Sequence, residues 1–98
     1  GYPVQMAELV ATLQGASYVV RRSLHDARHI RQAKKAIKTA FEVQQRGLGF
    51  AMVELLSTCP TNWHMTAPDS MQWLKDNMIP QYPLGDYKVL DVIKNAKI

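Results

Sequence analysis

The run Phe50-Ala51-Met52-Val53-Glu54-Leu55-Leu56-Ser57-Thr58-Cys59-Pro60-Thr61-Asn62-Trp63 constrains the fold of this chain more than any other stretch. It stays almost entirely apolar until a polar turn that carries the only cysteine of the sequence. Entered through Gly47-Leu48-Gly49 and closed by Pro60, such a run reads as a strand buried on both faces, the kind found in parallel sheets. In open parallel sheets, ligands collect beyond the carboxyl ends of the strands, where loops and helix N-termini converge. Cys59 stands at that edge. From spacing alone, a lone thiol there is favoured as a small packed hydrophobe over a reactive or ligating group.

A parallel strand needs a partner reached by a crossover, and the preceding residues supply one. Ala16-Ser17-Tyr18-Val19-Val20-Arg21-Arg22-Ser23 is rich in β-branched and aromatic residues and reads as a strand over 16–23. Asp26 is placed to cap a helix, since its carboxylate accepts a backbone N–H and complements the positive end of the helix dipole. Ile30, Ala33, Ile37, Ala40 and Phe41 then recur at helical spacing, which predicts a helix over 27–46. Strand, long helix and a second strand over 49–57 make a βαβ unit with parallel strands and an expected right-handed crossover. The fold class is therefore α/β.

The flanks are helical. Met6, Leu9, Val10 and Leu13 form an apolar stripe that predicts a helix over 5–14, with Gly15 as its left-handed stop. Thr66-Ala67-Pro68-Asp69 resembles a capping box with proline in the first turn. It predicts a helix over 68–79, ending before Pro80, which disfavours helix in the residue before it. Residues 80–98 read as an extended tail, with Val89-Leu90-Asp91-Val92-Ile93-Lys94 open between a short helix and a strand. Two strands with three helices cannot cover strands that are apolar on each face, so an exposed sheet edge and an apolar patch are expected.

Composition limits the function classes. At 98 residues and 47% hydrophobic, the chain suffices for one small domain and not for two. No apolar stretch approaches the roughly 20 residues that span a bilayer, and the N-terminus lacks the layout of a signal peptide. No membrane partner and a cytoplasmic location are expected. A single cysteine excludes an internal disulfide and agrees with a reducing compartment.

The net charge of +4 sits largely on Arg28, Arg31, Lys34, Lys35 and Lys38 of the long helix. A solvated outer face is favoured there over nucleic acid, because no aromatic residue interleaves the charges. An alternative function remains, a small basic interaction module that binds nucleic acid or an acidic protein. Arg21 and Arg22, at a strand exit, could clamp an anionic substrate or pair with Asp26 or Glu54. His25 and His29 stand at i and i+4, but His25 precedes the cap and is expected to fall outside the helix. Zinc is disfavoured there because a closed site wants four ligands. No glycine-rich phosphate loop, catalytic triad ordering or paired-carboxylate motif is legible.

Several segments carry a resemblance. Gly1-Tyr2-Pro3-Val4-Gln5-Met6, His29-Ile30-Arg31-Gln32-Ala33-Lys34-Lys35-Ala36-Ile37 and above all Leu56-Ser57-Thr58-Cys59-Pro60-Thr61-Asn62-Trp63 resemble the C-terminal third of the β subunit of 2-oxoacid:ferredoxin oxidoreductases. Ile79-Pro80-Gln81-Tyr82-Pro83-Leu84-Gly85 is similar to the tail of that subunit in its 2-oxoglutarate and branched-chain types. Ala27, where proline is common, and His64, where a smaller residue is common, depart from the pattern.

The resemblance implies that residues 1–98 are a fragment of a thiamine diphosphate-binding domain, with a βαβ core over 1–64 and a helix and tail over 65–98. It implies an enzyme that oxidatively decarboxylates a 2-oxo acid, passes the acyl group to coenzyme A and reduces ferredoxin. The expected partners are the α and other subunits of that enzyme. Its cofactors are thiamine diphosphate, magnesium and a four-iron, four-sulfur cluster. Cys59 takes the part of a cluster ligand, and Thr61 and Asn62 line the same cofactor loop. The family's other cluster cysteines and its Gly-Asp-Gly metal–diphosphate motif do not occur in this sequence. No catalytic residue and no bound cofactor are therefore expected in this chain, which should be inactive alone and could self-associate.

Overall fold

The computed structural model describes residues 4–58, 64–96 and 98. Its centre is strand β1, Ala16–Ser23, in which every residue except Arg22 is buried. Strand β2, Phe50–Leu56, runs parallel beside it, and a third strand, β3, Gly85–Val89, pairs antiparallel on its other side. Helix α2, Ala27–Gln45, makes the crossover between the parallel strands. The α/β class and the parallel pair agree with the sequence reading.

The centre of the sheet does not. The run from Phe50 was expected to be buried on both faces, yet β2 is an edge strand with Phe50 54% and Leu55 37% exposed. Hydrophobicity records that a strand wants cover, and it cannot record how many neighbours the strand has. β1 has two and takes the interior.

Alternation along β1 divides the core in two. Tyr18 and Val20 pack with Ala36 and Val43 of α2 and with Ile93 on one face. Val19 packs with Ala7 of helix α1, Met6–Ala11, and with Met52 and Tyr87 on the other. Asp26 caps α2 as expected, its carboxylate accepting from the His29 N–H at 2.8 Å. The buried face of α2 is Ala33, Ala36, Thr39 and Val43, small residues that allow close approach to the sheet. Ile37 and Phe41, expected on the core stripe, are instead 37% and 65% exposed. They line an apolar groove with Ala51 and Val53 beside the β2 edge, where the expected lack of cover falls.

α1 also differs from its pattern. It ends at Ala11, where the Thr12 hydroxyl donates to Leu9 O at 2.7 Å, and Gly15 is not left-handed. Ala7 is its buried residue, while Met6, Leu9 and Leu13 remain exposed. The face is turned this way because Glu8 reaches the buried Arg21.

Helix α3, Ala67–Trp73, starts at the expected cap, with Thr66 accepting from Asp69 N–H at 3.3 Å and Pro68 in the first turn. It then widens into a π turn, Leu74–Met78, and closes with a last turn α4, Ile79–Gln81, that contains Pro80. Proline was expected to stop the helix. A π turn already omits an ordinary i→i−4 bond, so the donor that proline lacks is not missed there.

The expected extended tail is β3 followed by helix α5, Asp91–Asn95, which buries Ile93. No helix among the described residues is long and apolar enough to cross a membrane.

Candidate functional site at the strand ends

Because β1 and β2 are parallel, their exits share one edge. Ser23 stands opposite Leu56, and the Leu24 N–H donates to Leu56 O at 3.0 Å, tying the two exits together. The chain then continues through Ser57 and Thr58 toward Cys59. Cys59, Thr61 and Asn62, the three residues singled out as cofactor contacts, lie outside the described residues.

The strand-exit arginines are committed to holding the sheet together. Arg21 is fully buried, and its Nε donates to Glu54 Oε2 at 2.7 Å. Its Nη2 donates to Glu8 Oε1 at 2.5 Å. Nη1 donates to Glu8 Oε2 at 3.2 Å, Pro83 O at 3.2 Å and the Tyr87 hydroxyl at 2.9 Å. The rings of Tyr82 and Tyr87 lie 5.4 and 5.0 Å from the guanidinium carbon, within cation–π range.

Burial pushes the Arg21 guanidinium toward neutrality, and its hydrogen bonds to Glu8 and Glu54 outweigh that effect. The same bond to Arg21 holds the Glu8 carboxyl below its ordinary range against partial desolvation. Arg22 donates to Asp86 Oδ1 at 2.6 Å and to Gly85 O and Arg21 O at 3.1 Å each. Of the two roles considered for this pair, the Glu54 partnership is present. An anion clamp at Arg21 is not, because its guanidinium is enclosed.

On the α2 side of the sheet an open groove of about 660 Å³ runs between α2, β3 and α5. Tyr18 lies in its wall, buried, with burial pushing its phenol pKa up. Arg28, Lys35 and Lys94 border it, against one acidic side chain, Asp86, which already pairs with Arg22. The groove therefore favours anions. Arg31, Lys34 and Lys38 are exposed on the outer face of α2, as the amphipathic pattern indicated.

The structure also brings together two residues that the helix-face rule separated. His25 lies outside α2, yet its ring centroid is 4.2 Å from that of His29. The strand end carries His25 to the helix cap, a proximity that spacing within one helix cannot show.

No family model matches the chain, and no solved structure matches it. Over 88 residues, 90% of the chain, it is 42% identical to the ketoisovalerate oxidoreductase subunit VorA of Methanothermobacter thermautotrophicus. It is equally similar to the VorA subunit of Methanothermobacter marburgensis. The chain spans 18% of the length of these relatives. The resemblance in the sequence implied a β subunit; the relatives are named subunit VorA, and the correspondence is with that subunit. Along nine-tenths of its length, this chain is thus similar to a segment of a ketoisovalerate oxidoreductase subunit.

Proposed function

We propose that this chain is a segment of a VorA-type subunit and serves a 2-oxoacid:ferredoxin oxidoreductase that acts on a branched-chain 2-oxo acid. The observation that carries this reading is the 42% identity over 88 residues to subunits named for ketoisovalerate. In the intact enzyme the oxo acid is decarboxylated, the acyl group goes to coenzyme A and the electrons go to ferredoxin. Thiamine diphosphate would supply the carbanion stabilisation that side chains cannot.

The residues of this chain do not by themselves fit the family's cofactors. A four-iron cluster takes four cysteine thiolates, and the sequence has one cysteine. Cys59 is proposed as one ligand of a cluster whose remaining ligands lie elsewhere in the enzyme, with Thr61 and Asn62 beside it. No electron-transfer step can be assigned within the chain. Its own contribution is positional: the paired strand exits at Ser23 and Leu56 fix the point from which Ser57 and Thr58 leave the sheet.

The test is substrate-dependent reduction by the intact oxidoreductase that contains this sequence. Ketoisovalerate with coenzyme A should support reduction of ferredoxin faster than pyruvate or 2-oxoglutarate does. Failure of every 2-oxo acid to support reduction would remove the reading.

A further inference from the structure

Independently of the oxidoreductase reading, the turn between β1 and α2 gathers three ligand-type side chains. His25 leaves the strand end, Asp26 caps α2, and His29 stands three residues into the helix. His25 Nε2 lies 3.2 Å from Asp26 Oδ2, and His29 Nδ1 lies 2.7 Å from Asp26 Oδ1. The ligand atoms of the three residues all fall within 4.8 Å of one another. Among the described residues this is the only group of three or more His, Cys, Asp or Glu side chains that could share an ion.

We propose that His25, Asp26 and His29 form a binding site for one divalent transition-metal ion, zinc foremost. Both imidazoles turn a ring nitrogen toward the same carboxylate, so one cation placed among them replaces the protons that would otherwise mediate the contacts. On the far side, His25 Nδ1 lies 2.7 Å from the Oγ of Ser23, a fully buried hydroxyl. Ligating imidazoles commonly donate from the second nitrogen to an oxygen acceptor, which fixes ring orientation and tautomer, and the Ser23 hydroxyl oxygen stands where that acceptor is needed.

Two imidazoles with one carboxylate suit zinc, cobalt or nickel, whereas magnesium and calcium prefer oxygen ligands. Three protein donors, one of them the half-exposed Asp26, leave a fourth position for water or an exchangeable ligand. Lys75 is the neighbouring cation whose field reaches His25 and opposes the ion, while the Asp26 charge favours it. The backbone holding the three is set by β1 and by the cap bond to the His29 N–H, so it is formed before an ion arrives.

The test uses the full 98-residue chain carrying Cys59→Ser, so that its thiol cannot compete for metal. Titration calorimetry with zinc chloride should show one equivalent bound, and cobalt should give visible d–d bands without a thiolate charge-transfer band. His29→Gln should abolish saturable binding. Asp26→Asn should weaken it at least tenfold while circular dichroism stays unchanged, because asparagine also caps helices. Ser23→Ala should weaken zinc about tenfold through loss of the orienting bond. Absence of saturable zinc binding, equal binding by His29→Gln, or magnesium binding as tight as zinc would each overturn the proposal.

Discussion

Arg21 and Glu54 are register partners across the parallel β1–β2 pair, and their side chains meet on the α1 face with Nε 2.7 Å from Oε2. Glu8 from α1 brings a second carboxylate to a guanidinium that has no exposed surface. Removing one partner from a buried ion pair costs more than the pair itself contributes. Arg21→Met should therefore destabilise the chain by about 3 kcal/mol, the lower part of the range for broken buried pairs, since both carboxylates can regain water. Urea unfolding measures this. A triple variant, Glu8→Met with Arg21→Met and Glu54→Met, should recover more than half of the loss.

Glu8 sets an acid limit on stability. Its carboxyl is held below the ordinary value of 4.5 first by the hydrogen bond to Arg21. A depressed folded-state pKa stabilises the fold above the unfolded pKa, and that stabilisation is lost as pH falls through the folded value. Urea midpoints should fall with decreasing pH from about 4.5 downward, and Glu8→Gln should flatten that part of the profile. A profile unchanged by Glu8→Gln would contradict the assignment.

Gly49 precedes β2 with φ +128, and a Cβ built there would lie 1.9 Å from the Ser17 Oγ. That hydroxyl donates to Leu48 O at 2.6 Å, so it cannot move away without loss. Gly49→Ala should cost about 2 kcal/mol from backbone conformation alone, with the clash added. Thermal unfolding checks it, and Gly47→Ala, at φ +64 with no atom within 4 Å of the added Cβ, should cost less.

The β2 edge and the exposed Ile37, Phe41 and Phe50 should make the chain self-associate when it is alone. Sedimentation over a concentration series should show growing oligomers, and Phe41→Lys should shift the curve toward monomer. A strictly monomeric wild-type chain at high concentration would contradict this expectation.

Local chemistry made much of the scaffold legible. The β-branched run of β1 and the Asp26 cap located 16–23 and the start of α2 because both signals lie within a few residues of what they specify. Neighbour relations were not legible in the same way. β3, Gly-Asp-Tyr-Lys-Val, is short and mixed in polarity, and its strand state depends on pairing with β1 some 65 residues away. Without β3, β2 was the natural candidate for the centre. The exposed faces of α1 and α2 have a related cause, since periodicity finds the large apolar residues while the packing buries Ala7 and, beside the expected Ala33, also Ala36 and Thr39. Helix spacing does not reach His25, which precedes the cap, although a histidine immediately before an Asp cap, with another three residues after it, is itself a readable signal.

The proposed role of Cys59 is that of one ligand to a four-iron cluster in the intact oxidoreductase. The most direct measurement is the electron paramagnetic resonance spectrum of the reduced intact enzyme carrying Cys59→Ser, recorded with ketoisovalerate-dependent ferredoxin reduction. Loss or alteration of a four-iron cluster signal, with reduction falling at least tenfold, is the predicted result. An unchanged cluster spectrum with unchanged turnover would contradict the account.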